Sequence, residues 1–265
     1  MKTLSYYKTL IIDFILFLFF GVLIWIVNVF VQSSFPGSKT FPFLVRSILL
    51  LFLLAFSYIL NYRFNRKNNL NSDVLKFKTK SIKYYFGAIV LGCSLIAAIW
   101  AITYLVYPFE IIKNPNSKIN LTTVVSYSLS SRLEELLFRG FLLMASVKFF
   151  GKTGGVLFVS LLFGLFHLQG TGFTSEALSM IMTTFTMSLL FISVIYYTKS
   201  IWTAAILHAT GNILLHTLGF DATNNRMFQI KFSAPGINWH FITLIFESVV
   251  VVFALVIFST GKKRL

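Results

Sequence analysis

YYFGAIVLGCSLIAAIWAITYLVY, residues 84–107, contains no Asp, Glu, Lys, Arg or His. A helix rising about 1.5 Å per residue needs about 20 apolar residues to cross a hydrocarbon core about 30 Å thick, and this stretch supplies them. Working outward, seven further apolar runs follow the same rule: Leu10 to Val31, Phe41 to Tyr62, Thr122 to Phe150, Gly154 to Leu168, Ala177 to Tyr197, Ile201 to Leu218 and Phe241 to Ser259. The fifth in chain order, Gly154 to Leu168, is short enough to be tilted, broken or enclosed by its neighbours. The expected fold class is all-α: a polytopic membrane helix bundle of about eight transmembrane helices, forming one integral membrane domain over 1–265.

Composition agrees. Apolar residues make up 57% of the chain and charged ones 12%, about half the share usual in soluble domains. Mean hydropathy is +0.80. Lys and Arg number 23 against 8 Asp and Glu, a net charge of +15. If the spans alternate, one side of the membrane receives the cations of residues 2–8, 63–83, 148–152, Lys199 and 262–264. The other receives Lys39, Arg46, Lys113, Lys118, Arg226 and Lys231. The richer side is cytoplasmic by the positive-inside rule, which puts both termini there. Topology thus accounts for the basic balance, and no nucleic-acid partner is expected.

The first span is too long for a secretory signal, lacks a small-residue cleavage pattern and is expected to be retained. Ser72 to Lys83 reads either as a short helix on an anionic leaflet or as a solvated basic loop. Linkers are expected at Asn61 to Ser81, Pro108 to Asn120 and Gly219 to Asn238, where Asn, Pro, Lys and Ser collect. Asn120-Leu121-Thr122 is a lone glycosylation sequon on the outer side. Cys93 is the only cysteine, so no disulfide or cysteine metal cluster is expected.

Span four breaks the apolar pattern. Ser130-Ser131-Arg132-Leu133-Glu134-Glu135-Leu136-Leu137-Phe138-Arg139-Gly140 carries four ionisable groups. Each costs about 2.5 to 3.5 kcal/mol at a helix centre on insertion scales, so pairing must offset much of the total. Helical geometry puts Arg139 and Arg132 on either side of Glu135, whereas Glu134 points away from Arg139. The two carboxylates therefore have different tasks: Glu135 is held and Glu134 is available. Ser130 and Ser131 are expected to bond to carbonyls one turn back.

Two further intrusions, Phe163-Gly164-Leu165-Phe166-His167 and His208-Ala209-Thr210-Gly211-Asn212, each space side chains one helical turn apart. Measured from the basic side at about 1.5 Å per residue, Glu134 lies roughly 21 Å from Lys148, His167 roughly 20 Å from Gly154 and His208 roughly 13 Å from Lys199. These levels suit a shared polar cavity opening to the cytoplasm. Asp13 reads as interfacial near Lys8. Glu247 reads as a cavity residue or a partner to one, His216 as the outer continuation of the His208 stripe, and His240 as interfacial.

Glu-Glu-x-x-x-Arg, Phe-x-x-x-His and His-x-x-x-Asn, in this order on three membrane helices, resemble the CAAX-type prenyl protease and bacteriocin-processing (CPBP, Abi) intramembrane protease family. Glu134, Glu135, Arg139, Phe163, His167, His208 and Asn212 match all seven positions, within a core at 122–218. The resemblance implies an intramembrane endopeptidase that attacks a peptide bond with activated water. Glu134 would be the general base, and His167 would help hold or deprotonate the water. His208 with Asn212 would form the oxyanion hole, and Glu135 with Arg139 and Phe163 would support the site. No cofactor is expected. The alternative is zinc on Glu134, His167 and His208, although no His-Glu-x-x-His motif is present.

Substrates implied are a peptide or lipidated peptide met among membrane lipids, with prenylated proteins, leader peptides, pheromone precursors and bacteriocins as options. A non-enzymatic immunity factor or scaffold of the same family is the competing reading. A small-solute transporter lacks the paired repeats such proteins show. A bacterial cell membrane, in a low-GC organism rich in Phe, Lys and Asn codons, is the expected location. Sequence leaves the oligomeric state open.

Overall fold

The computed structural model describes residues 2–33, 41–71, 73–76, 82–113, 121–168, 174–219, 228–233 and 238–261. Asn120 of the sequon and the cations Lys39, Lys78, Lys80, Lys118, Arg226, Lys262, Lys263 and Arg264 lie outside the described residues.

The described residues form eight α-helices: α1 (Lys2–Ser33), α2 (Phe41–Lys67), α3 (Ile82–Val106), α4 (Leu121–Leu137), α5 (Leu143–Phe166), α6 (Ser175–Thr198), α7 (Ile201–Thr217) and α8 (Trp239–Gly261). Among the described residues, six helical stretches are long and apolar enough to cross a membrane. Two of the expected spans share one of these, Val124–Phe166, and α7, at 17 residues, is not among the six.

That shared stretch is not straight. A π-turn, Phe138–Leu142, joins α4 to α5, and Gly151 interrupts α5 with φ 71° and ψ 173°. The chain folds back there, between the two expected spans: a Cβ at Gly155 would run into the backbone of Val147, and the rings of Phe150 and Phe158 stand 5.1 Å apart. In an uninterrupted helix those two residues would be about 12 Å apart along the axis. The reversal needs a conformation that only glycine adopts readily. A Cβ at Gly151 would meet nothing within 4 Å, so backbone strain alone would decide a substitution. Gly151→Ala should cost about 1–3 kcal/mol, read as a lower melting temperature of the purified protein.

Helix ends explain the remaining turns. Thr174 caps α6 by accepting from Ala177 N at 3.2 Å. Lys199 ends α6 in the left-handed conformation, its N–H donating to Ile195 O, and α7 starts two residues on. In the bundle α7 packs against α3, α4 and α6, while α6 also packs against α5 and α8.

Three expectations need correction. The linker expected from Asn61 is helical to Lys67, because Ser57, Asn61, Asn65 and Asn68 recur at helical spacing and face the interior, all fully buried. Asp13 is buried, and its partners are not Lys8 but Lys67 Nζ at 2.7 Å and Asn68 Nδ2 at 2.8 Å. This ties α1 to the end of α2. Within Ser72 to Lys83, Val74 and Leu75 lie on no leaflet. They form a buried 3-10 turn whose Leu75 carbonyl accepts from Trp202 Nε1 at 2.7 Å, and residues 77–81 are outside the described residues.

The other two linkers also carry structure. Pro108 cannot continue α3, and strands β1 (Phe109–Lys113), β2 (Leu218–Gly219) and β3 (Phe228–Phe232) form a small sheet in the order β1-β3-β2. β1 runs antiparallel to β3 in the register Phe109↔Phe232, and β2 runs parallel to β3. Phe109 anchors the sheet edge-on against Trp100, Tyr104 and Phe232. The molecule is thus a helical bundle with one short sheet, not purely helical.

Candidate active site

Glu134 and Glu135 occupy the last turn of α4, Arg139 the π-turn, Phe163 and His167 the end of α5, and His208 and Asn212 the middle of α7. Folding back at Gly151 returns the end of α5 to the π-turn, where Phe163 meets Phe138, while α7 packs against α4. The three motifs therefore meet.

Glu135 sits at the dry base. Its Oε1 lies 3.3 Å from an Arg139 guanidinium nitrogen and 3.0 Å from His208 Nδ1, with all three groups buried. Arg139 is one turn beyond Glu135 and is fully enclosed, its guanidinium carbon 4.0 Å from the centre of the Phe163 ring and 5.4 Å from that of Phe191. Those ring faces favour a desolvated cation. The motif phenylalanine therefore holds the arginine.

Arg132 is not the second partner expected for Glu135. It donates to Ser128 O at 3.2 Å and forms no ion pair among the described residues. A carbonyl one turn back on its own helix satisfies it, and the vacated place at Glu135 goes to an imidazole from α7.

His167 caps α5. Its backbone N–H donates to Gly164 O, and its Nδ1 stands 2.7 Å from Phe163 O. A carbonyl only accepts, so Nδ1 carries the proton and Nε2 is left with a lone pair. The four-residue spacing of this motif closes a helix end and orients a base at once. By the same reasoning the Glu135 carboxylate fixes the Nδ1–H tautomer of His208, and the Phe191 ring stacks on its imidazole with 4.6 Å between centroids.

Both Nε2 atoms face one oxygen. Glu134 Oε2 lies 3.9 Å from His167 Nε2 and 3.8 Å from His208 Nε2. These gaps exceed a direct hydrogen bond and suit one water about 2.8 Å from each atom. Exposure falls across the group, from 22% at Glu134 and 23% at His167 to 7% at His208 and 1% at Glu135. Asn212 Nδ2 donates to the buried Ser131 Oγ at 3.3 Å, which leaves its second amide hydrogen free to point elsewhere.

Two imidazoles and a carboxylate are a donor set that zinc accepts. Tetrahedral zinc, however, draws neighbouring donors to within about 3.4 Å of each other. The separations at Glu134 are wider, and no group of three His, Cys, Asp or Glu among the described residues is spaced to hold a metal ion.

Phe138 and Phe166 wall the site from an apolar cavity of about 500 Å³. Its lining includes Phe17, Leu18 and Val22 of α1, Leu137, Leu162, Leu165 and Leu168. Leu168 and Phe166 flank His167 in sequence, so the cavity borders the Glu134 group.

Sequence reasoning missed three contributors. Ser131 was assigned to a backbone carbonyl, as Ser130 is, through Ser126 O at 2.8 Å. Phe191 had no signal among 31 phenylalanines. Asn61 of α2 accepts from the Phe141 amide, two residues beyond Arg139, a contact that its place at the start of the expected linker does not signal. The other polar residues stand apart from this group: Glu247 accepts from Thr183 Oγ1 at 3.2 Å, His216 Nδ1 lies 3.4 Å from the Tyr127 hydroxyl, and His240 Nδ1 lies 3.4 Å from Ser179 Oγ.

The stretch holding all seven residues can be compared with known families. Residues 115–214 match the family Rce1-like, type II CAAX prenyl endopeptidase. The match covers α4, the π-turn, α5, α6 and most of α7, and it supports the CAAX-protease family that the motifs resemble. Together with the six apolar helices it supports an integral membrane protein that is similar to this protease family over residues 115–214. No curated protein matches the chain.

Proposed function

We propose that this Rce1-like protein is an intramembrane endopeptidase that cleaves a peptide bond with water activated by Glu134. One observation carries the reading: His167 Nε2 and His208 Nε2 lie 3.9 and 3.8 Å from the same oxygen, Glu134 Oε2. All three are acceptors when the imidazoles are neutral. A single water donates only two hydrogens, so one of the three must hold a proton of its own. The donor is assigned to His208 Nε2, the ring whose other nitrogen already faces the buried Glu135 carboxylate.

Water bound to Glu134 and His167 gives a proton to Glu134 as its oxygen adds to the substrate carbonyl. The new oxyanion accepts from His208 Nε2–H and from the second Asn212 amide hydrogen. Collapse breaks the C–N bond, and Glu134 passes its proton to the departing amine. No step requires a metal. The apolar cavity beside His167 suits an isoprenoid or acyl chain on the substrate, and the cation-flanked helix ends favour catalysis near the cytoplasmic leaflet. An immunity role without catalysis finds no comparable support in a match to endopeptidases.

The test uses protein reconstituted in liposomes, with a peptide ending in a farnesylated Cys-aliphatic-aliphatic-X sequence and its unmodified twin. Release of the C-terminal tripeptide is expected, with a lower KM for the farnesylated form and no loss of rate in EDTA or phenanthroline. Equal KM values would reject the lipid-chain assignment. A chelator-sensitive rate restored by zinc would reject the metal-free mechanism.

A further inference from the structure

The π-turn places Arg139, and nothing in the three motifs accounts for it. A π-turn displaces the ordinary helical hydrogen-bond ladder and leaves a backbone N–H in need of an acceptor, which is costly in a dry interior. Here the Phe141 amide donates to Asn61 Oδ1 of α2, while Asn61 Nδ2 donates to Ser57 O at 2.7 Å. The second bond fixes the first: a flipped amide would set a donor against a donor. Asn61 is fully buried, and Gly140 leaves the space it needs, since a Cβ at residue 140 would overlap Asn61 Oδ1. A side chain from outside the family match thus locks the backbone just beyond the arginine that pins Glu135.

We propose that Asn61 is a positioning residue of the active site. Through the π-turn it sets the register of Arg139 against Glu135 and Phe163, and through Glu135 it holds His208. This rests on the hydrolytic reading above, and it assigns α2 a part in the site that the motif helices alone do not supply.

A double-mutant cycle tests it on liposome-reconstituted protein: Asn61→Ala, Gly140→Ala and the pair, with kcat, KM and melting temperature measured for each. Asn61→Ala should lower kcat about 10- to 100-fold with KM within about twofold, the scale expected for slight misplacement of reacting groups. Gly140→Ala should lower kcat at least as far in the parent, yet less than about threefold further in the Asn61→Ala background, because the overlap is then gone. The pH profile of kcat should shift in Asn61→Ala, since His208 loses a fixed Glu135; a purely structural loss would scale the profile without moving it.

Equal effects of Gly140→Ala in both backgrounds would overturn the lock. So would an Asn61→Ala loss confined to KM or to abundance, or an unmoved pH profile. Should the parent hydrolyse no peptide, the hydrolytic reading and the catalytic role of Asn61 both fall, and coupling in melting temperature alone decides whether the contact exists.

Discussion

Glu134→Gln should abolish peptide release while leaving the protein as abundant and as heat-stable as the parent. Glutamine keeps the size of the side chain but cannot take a proton from water, and general acid–base catalysis is worth about 10²- to 10⁴-fold. Stability should hold because Glu134 stands at the wetter end of the group and forms no direct ion pair with Arg139. Rates of tripeptide release, normalised to membrane content by immunoblot, supply the check. Parent-like turnover in this variant would end the glutamate-base mechanism.

The opposite profile is expected at Arg139. Arg139→Met strips the cation from a fully buried carboxylate, and breaking a buried pair by removing one partner costs about 3–5 kcal/mol. The variant should lose stability and membrane abundance as well as activity. Glu135→Gln combined with Arg139→Met removes both charges and should recover most of the melting temperature but not the activity, because His208 has then lost its carboxylate. Melting curves in detergent distinguish the three proteins. An Arg139→Met variant as stable as the parent would contradict a dry Glu135–Arg139 pair.

Much of this was legible in the chain because the signals are local. Apolar length marks a membrane helix, and a four-residue spacing marks one face, so Glu135 with Arg139 and Phe163 with His167 could be paired on paper. Partners from other helices could not. Arg132 looked suited to Glu135 by angle, but the Ser128 carbonyl satisfies it and His208 arrives from α7. Asn61 and Asn68 resemble turn formers because asparagine competes with the helical backbone, a preference offset when the amide finds buried partners elsewhere in the fold. Asp13 met Lys67 and Asn68 rather than Lys8 for the same reason. The sheet was hidden because its strands are short and lie among polar residues, and strand pairing across more than a hundred residues leaves no periodic trace.

The reversal at Gly151 makes the chain its own measuring gauge. Glu134 lies seventeen residues before that pivot and His167 sixteen after it, and the π-turn takes up the odd residue on the longer limb. Carboxylate and imidazole are thereby levelled by matched arms about 25 Å long, as the jaws of a calliper are set by its legs. Exchanges of one side chain for another along these limbs leave that alignment alone. Insertion or deletion of a single residue would offset the jaws by about 1.5 Å, so in this part of the protein geometry constrains length more tightly than composition.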